Sequence, residues 1–166
     1  NKAPTIVDID TLKMKEYIWR NLKGTICFKI APEQKVYGAE NIINGYARPY
    51  GLPNIWLSKE GVEGQYVKLT WPEKKYIKEI ILYFDSDLNF RISFRPTLEN
   101  VIPEIVKDYD IYCKTEAGYI KIKEIRNNHQ RMNRILIDPI ETNEIKIEFH
   151  ATNGCPRVGL YEVRVY

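Results

Sequence analysis

The chain has 166 residues and a mass of 19.6 kDa, room for one ordinary domain that buries roughly 70% of its unfolded surface. Its 25 basic and 22 acidic residues leave a charge of +3 that is scattered rather than gathered on one helix face or tail, which argues against a nucleic-acid protein. No apolar run reaches the roughly 18 residues of a membrane-spanning helix, so no span is predicted.

From the N-terminus, Asp10 is placed to cap a short helix from Thr11 to Lys23, with Leu12, Ile18, Trp19 and Leu22 as its apolar stripe and Gly24 as its stop. Residues 1–24 read as a linker and short helix leading into a domain of residues 25–166. The chain begins at Asn1 without Met or a signal-like segment, and reads as a piece of a longer protein whose compartment these residues do not reveal.

Beyond Gly24 the pattern turns to short β-type runs parted by Gly, Pro, Asn and Asp. Strands are predicted at Thr25 to Ile30, Gln65 to Thr70, Ile77 to Phe84, Arg91 to Phe94, Asp108 to Lys114, Tyr119 to Ile125, Arg134 to Ile137, Glu144 to His150 and Arg157 to Tyr166. About nine strands with no second helix imply an all-β fold, an antiparallel β-sandwich or barrel, rather than βαβ units. Val67, Leu69 and Trp71, and likewise Ile145, Ile147 and Phe149, alternate as strands with one face toward a core do. Glu116-Ala117-Gly118 reads as a hairpin turn. The stretch from Ala39 to Ser58, rich in Asn, Gly, Pro, Tyr and Trp, reads as a long ordered loop, the kind that carries function.

In the last strand Glu162 sits among apolar neighbours. Strict alternation puts Tyr161, Val163 and Val165 on one face and Val158, Leu160 and Glu162 on the other. A carboxylate on a partly buried face requires a cation, amide donors or a metal beside it.

Catalytic chemistry finds little support. The two histidines, His129 and His150, have no Ser or Cys nucleophile context, and no GxGxxG, GxxxxGK[ST] or HExxH motif occurs. Asp85-Ser-Asp87 reads as a solvated turn after a strand. Cys27, Cys113 and Cys155 are odd in number and widely spaced, in no zinc pattern, and read as small core residues or free thiols.

The segments Ala39-Glu-Asn41-Ile-Ile-Asn44-Gly45 and Asn54-Ile-Trp56, closed by Glu162-Val-Arg-Val-Tyr166, resemble the discoidin, or coagulation-factor C-type, fold, also called galactose-binding-like. In that family Ala-x-Asn-x-x-Asp-Gly and Thr-x-Trp precede the first long strand, and Glu-x-x-Val-Tyr ends the chain. With Arg48-Pro49, Phe84 to Asn89, Lys107-Asp-Tyr109 and Ala151 to Gly154, the pattern is similar to the C-terminal accessory domain of certain bacterial FAD-dependent oxidoreductases. The resemblance implies a discoidin-like jelly roll of about eight to nine strands, appended to a parent catalytic domain that holds the FAD. No dinucleotide fingerprint lies in this chain.

The family's loop and terminal glutamate often hold a structural Ca²⁺, which takes six to eight oxygens. By position, the candidates are Asn41, Asn44, Asn54 and Glu162. Asn stands for the usual Asp at position 44, which removes a negative charge. The alternative is a metal-free plug in which Asn44 and Asn54 donate to Glu162. The resemblance also places a ligand site on loops at one end of the sandwich, where Tyr46, Arg48, Tyr50, Arg95, Asn128, His129 and Arg131 offer rings and donors to a hydroxyl-rich ligand. The expected function is that of a non-catalytic accessory domain binding a carbohydrate-type ligand, with no nucleic-acid or membrane partner. The alternative is a docking domain that packs on the parent enzyme without a ligand of its own.

Overall fold

The computed structural model describes residues 36–88 and 101–166. The helix predicted at Thr11 to Lys23, the strands predicted at Thr25 to Ile30 and Arg91 to Phe94, and the residues Cys27 and Arg95 lie outside them. Chain contacts form two units, and the second, Lys35–Tyr166, carries the described strands.

After a 3₁₀ helix at Ala39–Ile43, six strands run in chain order: β1 (Trp56–Leu57), β2 (Gln65–Phe84), β3 (Val106–Thr115), β4 (Gly118–Ile125), β5 (Met132–Thr152) and β6 (Gly159–Val165). All neighbours pair antiparallel in the spatial order β1-β6-β2-β5-β3-β4. The all-β antiparallel expectation holds. Of the seven strands predicted within the described residues, two pairs are each one long strand, because β2 and β5 run unbroken through a corner.

Two prolines mark that corner. Between the pairs Thr70↔Glu144 and Lys75↔Thr142, the segment Trp71 to Lys74 of β2 bulges against Asn143 alone; between Ile77↔Ile140 and Glu79↔Leu136, Ile137 to Pro139 of β5 bulge against Lys78. Pro72 and Pro139 have no N–H for the ladder, so each falls where the ladder is interrupted. The opposed bulges bend the β2–β5 ribbon. On one side of the bend β3 adds to β5 along Ile145 to Thr152; on the other β6 adds to β2 along Ile80 to Phe84.

The two halves of the ribbon thereby become the two layers of a β-sandwich. Across the gap the Phe84 ring meets Tyr109 edge to face at 5.3 Å, Trp56 meets Phe149 at 5.9 Å, and Tyr109 Oη donates to Asn133 Oδ1 at 2.8 Å. Ile80, Leu82, Phe84, Ile111, Ile145, Ile147, Phe149 and Leu160 are fully enclosed. Each contributes about 1.5–3 kcal/mol by leaving water. The predicted hairpin is present: Thr115 pairs with Gly118, whose φ of +115° suits a residue without Cβ.

Candidate functional site

The strand carrying Glu162 does not alternate strictly. Tyr83 pairs with Glu162 and Phe84 with Leu160, so Tyr161 is an extra residue, a β-bulge. Paired residues share a face. Leu160, Val163 and Val165 therefore join Phe84, Leu82 and Ile80 on the core side, while Glu162 and Arg164 stand with Tyr83 and Ile81 on the outer side. The predicted face of Val158, Leu160 and Glu162 is corrected accordingly. Glu162 is 5% exposed nonetheless, and its carboxylate receives both arms of a fork from Arg164, Nε to Oε1 at 2.9 Å and Nη2 to Oε2 at 3.0 Å. The carboxylate raises the Arg164 pKa further. The partner that burial demanded is the cation two residues on, brought to the same face by the strand's period.

The asparagine loop is closed by other bonds than the predicted plug. Asn44 Nδ2 donates to Asn41 Oδ1 at 3.4 Å, its Oδ1 accepts the Tyr46 N–H at 2.9 Å, and Asn54 Nδ2 donates to the Arg48 carbonyl at 2.6 Å. Neither amide reaches Glu162. The closing residue is Asn41, whose Nδ2 sits against three backbone carbonyls: Val36 at 3.0 Å, Ile55 at 3.0 Å and Pro53 at 3.3 Å. These tie both ends of the loop to one side chain. Ile42, next to it, enters the core.

This arrangement does not fit a calcium site. Calcium seeks hard oxygens, with carboxylates to offset its charge. The single carboxylate of the predicted set is forked by Arg164, Asn44 Oδ1 is engaged, and the converging carbonyls face an amide nitrogen. Among the described residues no three His, Cys, Asp or Glu side chains gather as metal ligands. Asn54 Oδ1 is buried without a donor, but one neutral amide oxygen is far short of a calcium cage.

The predicted ligand residues divide. Asn128 is buried and fully engaged: its Nδ2 donates to the Val106 carbonyl at 2.7 Å and the Gln130 carbonyl at 3.1 Å, and its Oδ1 accepts from Gln130 N at 3.0 Å and Asn133 Nδ2 at 3.1 Å. It ties the turn before β5 to β3 and has no donor left for a ligand, a correction to its predicted role. His129 is exposed in the same turn. Tyr46 and Tyr50 are exposed, their rings edge to face at 5.9 Å. A tight turn, closed by Leu52 N–H to the Pro49 carbonyl at 2.8 Å, presents Tyr50. Its central residues, Tyr50 and Gly51, have φ of +47° and +73°. For Tyr this left-handed conformation costs about 1 kcal/mol, backbone strain of the kind that gathers at functional sites.

Arg48 and Arg131 come together although 83 positions separate them in the chain. Arg131 Nη2 donates to the carbonyl of Ala47, the residue before Arg48. The Arg131 guanidinium stands 5.8 Å from the Tyr83 ring and 5.9 Å from the Tyr161 ring. Burial first, and then the neighbouring Arg48 charge, lower its pKa. Its Nε is buried with no acceptor.

Residues whose sequence context gives no functional signal complete this end of the sandwich. Tyr161 is carried there by its bulge. Ser86 is buried and Asp85 half-buried, in place of the predicted solvated turn; Asp85 Oδ1 accepts the Asp87 N–H at 2.8 Å, and burial raises the carboxyl pKa. Asp85 also explains Gly159, where a Cβ would lie 2.6 Å from the Asp85 Cβ and 3.1 Å from Ile55 Cδ1. His150 lies away from this site, in a cluster around the buried Asp110. Its Nε2 is 3.2 Å from Asp110 Oδ2, beside Lys121 Nζ at 2.8 Å, while Arg126 Nη1 approaches Asp110 Oδ1 at 2.7 Å with its hydrogens on backbone carbonyls. That cluster is structural: burial would raise the Asp110 pKa, and the charged groups of Arg126 and Lys121, together with His150, more than reverse it.

No protein-family model and no curated protein sequence matches the chain. Solved structures do. The family 32 carbohydrate-binding module of Streptococcus pneumoniae EndoD is 20% identical with a TM-score of 0.62, over 82% of this chain and 90% of that one. A CBM32 from Clostridium perfringens in complex with GalNAc-β-1,3-galactose is 14% identical with a TM-score of 0.59, over 81% of this chain and 89% of that one. The CBM32 of AlyQ in complex with 4,5-unsaturated mannuronic acid is 12% identical with a TM-score of 0.58, over 81% of this chain and 90% of that one. The chain shares the β-sandwich fold of these modules.

Proposed function

We propose that this chain is a non-catalytic carbohydrate-binding module, the accessory domain of a larger enzyme. It holds a hydroxyl-rich sugar at the end of the sandwich formed by the Asn44 to Asn54 loop, the Asp85 turn and Arg131. The observation that carries the reading is the meeting of Arg48 and Arg131 beside Tyr83 and Tyr161, with Tyr46 and Tyr50 exposed on the same loop. Flat rings and guanidinium donors are what a sugar's apolar face and hydroxyls require. The fold is one in which the structural relatives carry sugars in their names. No cluster of nucleophile and base stands at this end among the described residues.

The parent enzyme belongs to the same proposal. The motifs Asn41 to Gly45, Arg48-Pro49, Pro53 to Trp56, Phe84 to Asn89, Lys107 to Tyr109, Ala151 to Gly154 and Glu162 to Tyr166 speak for an FAD-dependent oxidoreductase, and that half of the reading rests on them alone. A coding sequence upstream of Asn1 with a GxGxxG-led domain would support it; a glycoside hydrolase there would replace it. For the loop, we propose the metal-free closure by Asn41 in place of calcium.

Glycan-array screening of the chain, followed by calorimetric titration of the hits, tests the binding reading, with Arg48→Ala and Tyr50→Ala as site controls. Binding weakened by both changes is the expected result. No sugar bound, or affinity untouched by either change, sinks the assigned site and leaves the docking role. Exposed Leu136 and Met132, on the outer side of the ribbon, would then be the first surface to test.

A further inference from the structure

Six arginines lie among the described residues, and four of them face a carboxylate. Arg126 is 2.7 Å from Asp110, Arg157 is 3.2 Å from Glu60, Arg164 forks Glu162, and Arg134 pairs with Glu79. The other two, Arg48 and Arg131, have no carboxylate within ion-pair distance among the described residues, and they are the two that stand beside each other. Like charges side by side are unfavourable unless an anion lies between them. This fold pairs its arginines wherever it uses them structurally, so an unneutralised pair is a departure that asks for a cause.

The surroundings offset it only in part: Tyr161, Asp85 and Tyr83 favour the Arg131 charge, but burial and Arg48 outweigh them. Asp85 and Asp87 are the acids nearest this end. Asp85 lies back against Gly159, accepts the Asp87 N–H, and is pushed by burial toward its neutral form. The Tyr83 and Tyr161 rings stand 5.8 Å and 5.9 Å from the Arg131 guanidinium. Arg131 is held by its bond to the Ala47 carbonyl and by those rings, and its Nε has no acceptor. Arg48 is exposed, and its side chain makes no hydrogen bond or ion pair among the described residues. One guanidinium is thus fixed and half-sheltered, the other free to close on a ligand.

We infer that the site takes an anionic saccharide, a sugar bearing a carboxylate or a sulfate, with the negative group between Arg48 and Arg131 and the ring against the exposed Tyr46 and Tyr50. This rests on the carbohydrate-binding reading and narrows it. The planar guanidinium fork matches a carboxylate with two parallel hydrogen bonds, and charge-assisted bonds are about twice as strong as neutral ones. A uronate is therefore the favoured form of the anion.

The test is calorimetric titration of the chain with uronic-acid oligosaccharides, with neutral oligosaccharides of the same linkage, and with sulfated ones. Uronates are expected to bind roughly tenfold or more tightly than their neutral counterparts. Arg48→Gln, at an unchanged melting temperature, is expected to bring uronate affinity down to that of the neutral sugars and so erase the preference, and added salt is expected to weaken uronate binding to the unaltered chain. Preference for the sulfated over the uronate sugars would support the anionic site and identify its anion. Equal binding of acidic and neutral sugars would overturn the inference and leave the carbohydrate-binding reading standing; no binding of any sugar would overturn both.

Discussion

Asn41 is the residue on which the long loop should depend, and replacing it separates a hydrogen-bonded closure from a metal-bridged one. Its Nδ2 serves carbonyls from Val36, Pro53 and Ile55, two of them part-buried and one exposed. Asn41→Ala removes these contacts, along with the Oδ1 that accepts from Asn44 Nδ2, and leaves the carbonyls facing each other. At about 1 kcal/mol for each part-buried bond and less for the exposed one, the expected loss is about 2 kcal/mol. At about 4 °C per kcal/mol for a domain of this size, the melting temperature should fall by roughly 8 °C. Asn41→Asp should be worse in EDTA, because carboxylate oxygens then meet carbonyl oxygens. It also turns the carbonyl cage into a set of hard oxygens around a negative charge, so millimolar Ca²⁺ should restore much of its stability. The wild-type chain should melt at the same temperature in EDTA and in Ca²⁺, followed by circular dichroism. A wild-type melting temperature that rises with Ca²⁺, or an Asn41→Ala chain as stable as wild type, refutes the reasoning.

Gly159→Ala drives a methyl into the Asp85 Cβ at 2.6 Å and should cost about 1–3 kcal/mol in urea unfolding; a midpoint within error of wild type would show that the Asp85 turn yields freely. Asp110 sets the acid limb of stability. Its folded pKa lies below the ordinary value of 3.8, so its contribution is fully present above that pH and is lost as pH falls toward the folded value. Asp110→Asn should therefore be less stable than wild type at pH 7 and converge on it in acid, measured by chemical denaturation across pH. A constant difference at all pH values would mean that packing, not the contacts with Lys121, Arg126 and His150, accounts for the loss.

The strands are legible because the alternation of Val67 and Leu69, or of Ile145, Ile147 and Phe149, registers a face whatever the partner strand is. The joins are not. Gln65 to Thr70 and Ile77 to Phe84 read as two strands because the polar, proline-bearing stretch between them looks like a loop; the opposed bulge in β5 makes it a corner. β1 escapes a linear reading because a two-residue strand has no period to detect; its pairing with Leu160 and Gly159 makes it one. In the site, Tyr46, Arg48, Tyr50 and Arg131 stand out as rings and donors on loops. Tyr83, Tyr161 and Asp85 do not, because they sit in or beside strand patterns.

Periodicity, turn chemistry and the cost of burying charge are local, and they suffice for the class of the fold, the long ordered loop and the need of Glu162 for a partner. Arg164, two residues away on a strand, is in plain view as that partner. Which face Glu162 occupies is another matter, because one bulged residue reverses every side chain after it and no local pattern announces a bulge. The same holds for the closure of the loop by Asn41 and for the two arginines, 83 positions apart, that share one end of the molecule. Such convergence of distant segments depends on strand register and on the corner in β2 and β5, which exist only once the chain has folded on itself.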